Sequence, residues 1–313
     1  MSPIILFSFV IGYFALLLTV AWFTSRNSNN DSFFIGNRNS NWMLVAFGMI
    51  GTSLSGVTFV SVPGGVGAGN FFYFQVVLGY LLGYIVIAFV LLPLYYRLNL
   101  TSIYTYLEQR FGISAHRAGA FFFILSRTVG ATARLYLVIS ILQLFIFDKL
   151  GIPFIVTSLV ILILILLYTF EGGVKTIIYT DTLQTTGMLV GLAACIIVIV
   201  KSLGTDLGGA WTLMSEKGYT QVFNTDIKSG SFALKHILGG MFIAIAMTGL
   251  DQEMMQKNIS VKTLKDSQTN MITFTAVLMI VNFLFLILGG ILYLYAAQKG
   301  ITVPPDDLFP TIA

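Results

Sequence analysis

The sequence predicts an all-α, polytopic membrane protein, and three observations carry that prediction. Of its 313 residues, 57% are apolar and only 10% are charged, with a mean hydropathy of +0.89. A soluble domain carries about a quarter charged residues, so this chain could not keep its surface in water. Its apolar residues come in runs of about 20, the length that crosses a bilayer as a helix, without the alternation a β-barrel needs. The net charge of +4 is spread as single basic residues between the runs, which suits orientation in a bilayer and argues against nucleic acid as a partner.

Eight spans follow in order, forming one transmembrane domain over 1–313. The first, 3–23, has no basic leader and no small-residue cleavage site behind it, so it reads as a retained helix rather than a signal peptide. Next come 42–62 and 71–94. The connector "LTSIYTYLEQRFG" (100–112) spaces Ile103, Tyr106, Leu107 and Phe111 helically and turns Glu108 and Arg110 to water, which predicts a short cytoplasmic interfacial helix. The spans 119–147, 154–170 and 178–201 follow. Cys195, in the last of these, is the sole cysteine and has a packing role. A Gly-, Thr- and Asp-rich loop leads to 232–255 and then 271–297. With the N-terminus outside, nine Lys and Arg fall in inside loops and six outside, four of the six flanking the long 201–235 loop, where charge weighs less. The sequence therefore predicts a multi-pass protein of the plasma membrane with its N-terminus outside.

Within the second span, "GMIGTSLSGVTFVSVPGG" (48–65) places glycines and hydroxyls at membrane depth. Gly51, Ser53, Ser55 and Gly56 all have weak helix preference. An unwound turn here would free the carbonyls of Gly51 and Leu54, hard oxygens suited to an alkali cation, and would let Ser53, Ser55 and Thr58 face a solute. On spacing alone, close packing by small residues accounts for the same stretch.

In "EGGVKTIIYTDTLQTTG" (171–187), Asp181 stands one turn into a span. A carboxylate costs about 2.5–3.5 kcal/mol at a helix centre on insertion scales, and less near an end. Gln184 and Thr185 share its face, a polar stripe pointing into the bundle; capping of the helix N-terminus is the plainer alternative. Arg127 and Arg134 lie seven residues apart on one face, open to an anionic solute, to snorkelling or to an internal pair with Asp181. Gln75 could donate to a solute or bond a neighbouring helix. Asp251, Gln252 and Glu253 read as a solvated cap at a cytoplasmic end. His116 and His236 have no second ligand at metal spacing. An intramembrane enzyme is disfavoured: "GTSL" lacks a deep histidine, no H-E-x-x-H motif is present, and "GGVGAGN" breaks the dinucleotide pattern at Asn70.

These residues together resemble the sodium/solute symporter family, which includes transporters of proline, galactose and sialic acid. Asp31, Phe33 or Phe34, Gly36 and Arg38 follow its D-x-F-x-x-G-R pattern, with Asn37 inserted. "EGGVKTIIYTDTLQ" is similar to its G-G-x-x-x-V-x-x-T-D-x-x-Q motif, and "DDLFP" to its D-x-x-F-P. The resemblance implies a LeuT-type inverted-repeat helical bundle with one extra N-terminal helix. Its first core helix would be 42–62, broken near Ser53–Gly56, and its sixth 232–255. It implies sodium as the coupling ion, with Gly51 and Leu54 as carbonyl donors and Asp181 nearby, and no other cofactor or metal. Ser53, Ser55 and Thr58 match solute-facing positions in a pattern closer to sialic-acid than to sugar transporters. Met247 and Ala244 stand where the sugar transporters have an aromatic gate and an asparagine. The arginine for a sialate carboxylate aligns with either Arg127 or Arg134, and Arg134 is taken here beside Gln75.

The expected function is sodium-coupled symport of a small organic solute, a carboxylate such as sialic acid, by alternating access. The chain ends where the eighth core helix should begin, so an N-terminal portion truncated after the seventh is expected. The alternative is a non-transporting membrane sensor or scaffold, or an inactive fragment.

Overall fold

A computed structural model describes residues 3–25, 40–54, 56–100, 102–169 and 173–312. The motif residues Asp31, Phe33, Phe34, Gly36 and Arg38, and the proposed solute contact Ser55, lie outside the described residues. Among those described the chain is helical, apart from one isolated parallel bridge between Ser40 and Val261.

The helices in order are α1 (Pro3–Ser25), α2 (Trp42–Ser53), α3 (Gly56–Gly64) with a further turn at Val66–Gly69, and α4 (Tyr73–Arg97). They continue with α5 (Ile103–Phe111), α6 (Ile113–Leu142), α7 (Phe154–Thr169), α8 (Gly173–Ser202) and α9 (Leu207–Glu216). The last four are α10 (Ala233–Gly249), α11 (Gln252–Ile259), α12 (Leu264–Lys299) and α13 (Pro305–Ile312). Among the described residues, five helices are long and apolar enough to cross a membrane, and up to seven if each of two broken pairs counts as one span. Phe154–Leu167 is apolar but shorter. Only 11% of the apolar window in α1 is buried among the described residues.

Both interruptions have local causes. Helix α2 stops at Ser53, with the Leu54 amide donating to Ile50 O at 2.8 Å, and α3 restarts at Gly56. Serine and glycine give the helix little reason to continue. The 232–255 span, read from sequence as unbroken, is not: α10 ends in a π-helical turn (Ile245–Gly249). Asp251 then turns extended, at φ −94° and ψ 129°, to cap α11, its carboxylate accepting from the Met254 amide at 3.1 Å.

The chain divides into two compact units. One comprises 1–49, 95–183 and 251–267. Here α1 meets the π-turn after α6 through an edge-on Phe7–Phe147 pair at 5.7 Å, and the Thr24 and Thr176 hydroxyls pair at 2.7 Å. The α5 helix, capped by Ser102, lies on α6 through Tyr104 and Phe123 at 5.5 Å. Tyr96 donates to Val261 O at 2.6 Å, which ties down the segment after α11.

The other unit comprises 50–94, 184–250 and 268–313. Its tightest contact is between α4 and α10. A Cβ on Gly79 would strike the Ile237 carbonyl, and one on Gly240 the Val76 carbonyl, so these backbones touch only because both residues lack a side chain. Gly240→Val should therefore lower stability by about 1–3 kcal/mol or more through overpacking. Gly239→Val is the control, because a Cβ there meets nothing within 4 Å. Thermal melts of the two variants in detergent check this; equal melting temperatures would remove the packing argument. Buried Val66, Phe71 and Leu286 centre a second cluster. Helix α13 rests on α3 through Phe59–Phe309 at 5.3 Å, and Tyr293 donates to Gly64 O at 2.6 Å.

Candidate functional site

Within the second unit, the broken-helix residues sit at different depths. Gly51 and Leu54 are buried, while Ser53 and Thr58 are half-buried. Thr58 lines a cavity of about 530 Å³, together with Ser61, Asn70, Tyr73, Ser231 and His236. Hydroxyls, an amide and an imidazole over an apolar floor that includes Phe72 and Leu286 suit a small polar organic solute. Asn70 adopts φ 47° and ψ −145°, a positive-φ conformation outside the left-handed helical region, where the turn ends.

Gln75 is fully buried and holds the cavity wall. Its amide donates to Phe72 O at 3.0 Å and Ser231 O at 3.3 Å, and its carbonyl accepts from the Asn224 amide at 3.3 Å. Its nitrogen also lies 3.5 Å from His236 Nδ1. Asn224 in turn donates to Ser229 and Ser231 hydroxyls at 3.0 and 2.7 Å. As it stands, Gln75 fastens the 221–233 loop to the start of α4 rather than pointing a free donor at a solute.

In the first unit, Asp181 lies on α8. Gly48 of α2 approaches it so closely that a Cβ there would stand 3.2 Å from Ile178 O and 3.5 Å from Asp181 Cβ. The carboxylate is ion-paired: Lys257 Nζ donates to Asp181 Oδ2 at 2.6 Å, with side chains 4% and 18% exposed respectively. Lys257, counted from sequence as a loop charge, is therefore a buried residue of α11.

Arg127 also differs from expectation. Its partner is Asp251, not Asp181: Nε donates to Asp251 Oδ2 at 2.6 Å and a terminal nitrogen contacts the same oxygen. Glu253 Oε2 lies 3.7 Å from Arg127, and its other oxygen 3.9 Å from Lys257. Asp251 is only 7% exposed in its side chain, so the expected solvated cap is a buried one, aimed at an arginine. Beside this cluster burial pushes the Tyr104 phenol up; the Asp251 charge adds to that shift and Arg127 opposes it.

Arg134 is half-buried and donates to Gly130 O of its own helix at 3.1 Å. Among the described residues no carboxylate pairs with it, which sets it apart from Arg127.

Comparison with known proteins decides the lineage. The family model described as "Sodium:solute symporter family" matches residues 33–308. The chain belongs to that family. Similar relatives include the sodium/sialic acid symporter SiaT of Proteus mirabilis, 25% identical over 95% of this chain and 60% of the relative. The sodium/sialic acid symporter NanT of Aliivibrio fischeri is 25% identical over 93% of this chain and 57% of its own. The human sodium/iodide cotransporter is 26% identical over 82% and 41%. A solved structure described as the substrate-bound outward-open state of a Na+-coupled sialic acid symporter superposes with a TM-score of 0.86 at 23% identity, covering 97% of this chain and 64% of that one. The fold is thus the LeuT type, as the family resemblance implied, in a multi-pass membrane protein. The chain spans about three fifths of the length of the sialic acid symporters it matches.

Within this symporter-family chain, sequence reasoning overlooked Lys257 and the part played by Glu253. One signal was available: in "LDQEMMQK", Lys257 stands one helical turn after Glu253, beside Met254 and Met255, a poor setting for a purely solvated lysine.

Proposed function

We propose that the protein is a sodium-coupled secondary transporter that takes up a small organic carboxylate, sialic acid or a close analogue, by alternating access. The observation that carries the reading is a helix broken at Leu54 beside a hydroxyl-lined cavity, in a chain of the sodium:solute symporter family. A broken helix presents backbone carbonyls and dipole ends at membrane depth, and such groups are the recurring means of binding ions in secondary transporters.

In this reading Gly51 and Leu54 offer carbonyl oxygens to sodium and Asp181 offers a carboxylate. Ser53, Ser55 and Thr58 offer hydroxyls to the solute, Gln75 steadies the cavity wall, and Arg134 offers its guanidinium to the solute's carboxylate. The relatives named for sialic acid support that solute class. The inside bias of Lys and Arg supports a plasma-membrane orientation with the N-terminus outside, even with Lys257 removed from the count.

The test is uptake of radiolabelled sialic acid into proteoliposomes carrying the protein. Replacing external sodium by potassium should reduce the initial rate to background. Undiminished uptake in potassium would reject sodium coupling, and absence of uptake in sodium, with uptake of another carboxylate, would reject the solute.

A further inference from the structure

We propose that the Lys257 ammonium is a built-in competitor for sodium at Asp181, and that Glu253 is the acceptor to which it withdraws. The proposal rests on the reading of Asp181 as a sodium ligand and adds a residue that sets the affinity.

The first support is occupancy. The Asp181 carboxylate already holds a monovalent cation, because Lys257 Nζ sits 2.6 Å from Oδ2 with both side chains largely withdrawn from water. A seat that accepts an ammonium is suited to an alkali cation of the same charge. The two exclude each other there, since like charges at one carboxylate repel strongly where water is scarce.

The second support is a place to go. Glu253 lies one turn before Lys257 on α11, and its Oε1 is 3.9 Å from Nζ. A change of lysine rotamer would exchange Asp181 for Glu253 without breaking the backbone. Glu253 is 48% exposed, so the relocated pair is weaker than the one it replaces. That difference in strength sets how hard sodium must compete.

The third support is charge. Among the described residues, the cluster sets three carboxylates (Asp181, Asp251, Glu253) against two cations (Arg127, Lys257). One added sodium at Asp181, with Lys257 on Glu253 and Arg127 on Asp251, gives every carboxylate its own cation. The lysine therefore raises the sodium concentration needed for occupancy while keeping Asp181 paired in the absence of sodium. An unpaired carboxylate at that depth would be costly.

The experiment is equilibrium binding of radioactive sodium to the purified chain in lipid nanodiscs, with choline chloride as the sodium-free control. Lys257→Gln removes the competitor and should lower the sodium Kd about tenfold, or about 1.4 kcal/mol. Glu253→Gln removes the refuge and should raise it about threefold. Lys257→Arg keeps the cation and should stay nearer the wild type than Lys257→Gln. Shifts of opposite sign at Lys257 and Glu253 are what a merely structural pair would not give, and the half-exposed Glu253 variant and the charge-conserving Lys257→Arg keep the test alive should Lys257→Gln fail to fold. If the wild type binds sodium and neither neutral variant changes Kd, or both move it the same way, the competitor proposal is overturned while Asp181 keeps its sodium role. If sodium binding in the wild type matches that of Asp181→Asn, the reading of Asp181 fails and the proposal falls with it.

Discussion

Asp251→Ala should destabilise the protein by about 3 kcal/mol or more. The carboxylate is almost wholly buried, accepts two contacts from Arg127 and caps α11 through the Met254 amide. Removing one partner of a buried ion pair typically costs about 3–5 kcal/mol, because the survivor keeps its desolvation penalty. Loss of the cap adds about 0.5–2 kcal/mol. Two features moderate the total: Arg127 is 25% exposed, and Glu253 lies 3.7 Å away as a substitute partner. Asp251→Asn retains a capping oxygen and should fall between the alanine variant and the wild type. The mechanism has its own check in Arg127→Leu combined with Asp251→Ala. That double variant should recover part of the loss, since no unpaired charge remains. Unfolding in mild detergent measures all three. A double variant no more stable than Asp251→Ala alone would mean that the stranded arginine is not the source of the loss.

The contrast between this pair and its sequence reading shows where patterns in a single chain stop being informative. Apolar runs specify helices in lipid because no other open structure satisfies the backbone there. For that reason the helical, multi-pass character of the chain was legible from composition and run length alone. The break after Ser53 was not decided by spacing, because close packing accounts for Gly51, Ser53, Ser55 and Gly56 as well as their weak helix preference does. The family resemblance was what implied it. The break after Gly249 was not legible. Its flanks, "IAMTG" and "LDQEMMQ", read as an apolar helix running out into water. Only the fold reveals that Asp251 turns inward to meet an arginine more than a hundred residues earlier. Ion pairing between distant segments leaves no periodic trace, so Arg127 was open to several partners and Lys257 passed as a loop charge. Gln75 illustrates the same limit on a smaller scale. Its amide could serve a solute or a loop, and the choice depends on where Asn224 and Ser231 arrive, which the order of residues along the chain does not disclose.

On the proposal that Arg134 meets the solute's carboxylate, Arg134→Gln should weaken binding of a carboxylate solute by about a hundredfold while leaving the fold intact. Arg127 and Arg134 share a helix face but not their partners. Arg127 is committed to Asp251 and Glu253, whereas the described protein contact of Arg134 is a single bond to Gly130 O at 3.1 Å. A guanidinium that, among the described residues, bonds to its own helix keeps donors for an incoming anion, and its fork geometry matches a carboxylate with two parallel bonds. Each charge-assisted hydrogen bond contributes about 1.5–3 kcal/mol, so losing the pair exceeds a hundredfold in affinity before compensation by water. Arg134→Lys should recover only part, because an ammonium cannot reproduce the planar fork. The decisive measurement compares sialic acid with its methyl ester on the wild type and on Arg134→Gln, by competition against labelled uptake. The wild type should prefer the acid strongly and the variant should bind the two alike, because only a direct contact with the carboxylate makes the two changes non-additive. A variant that retains the preference for the acid would transfer the role away from Arg134. Arg127 could not simply inherit it, since the carboxylates that now hold it would have to be given up first.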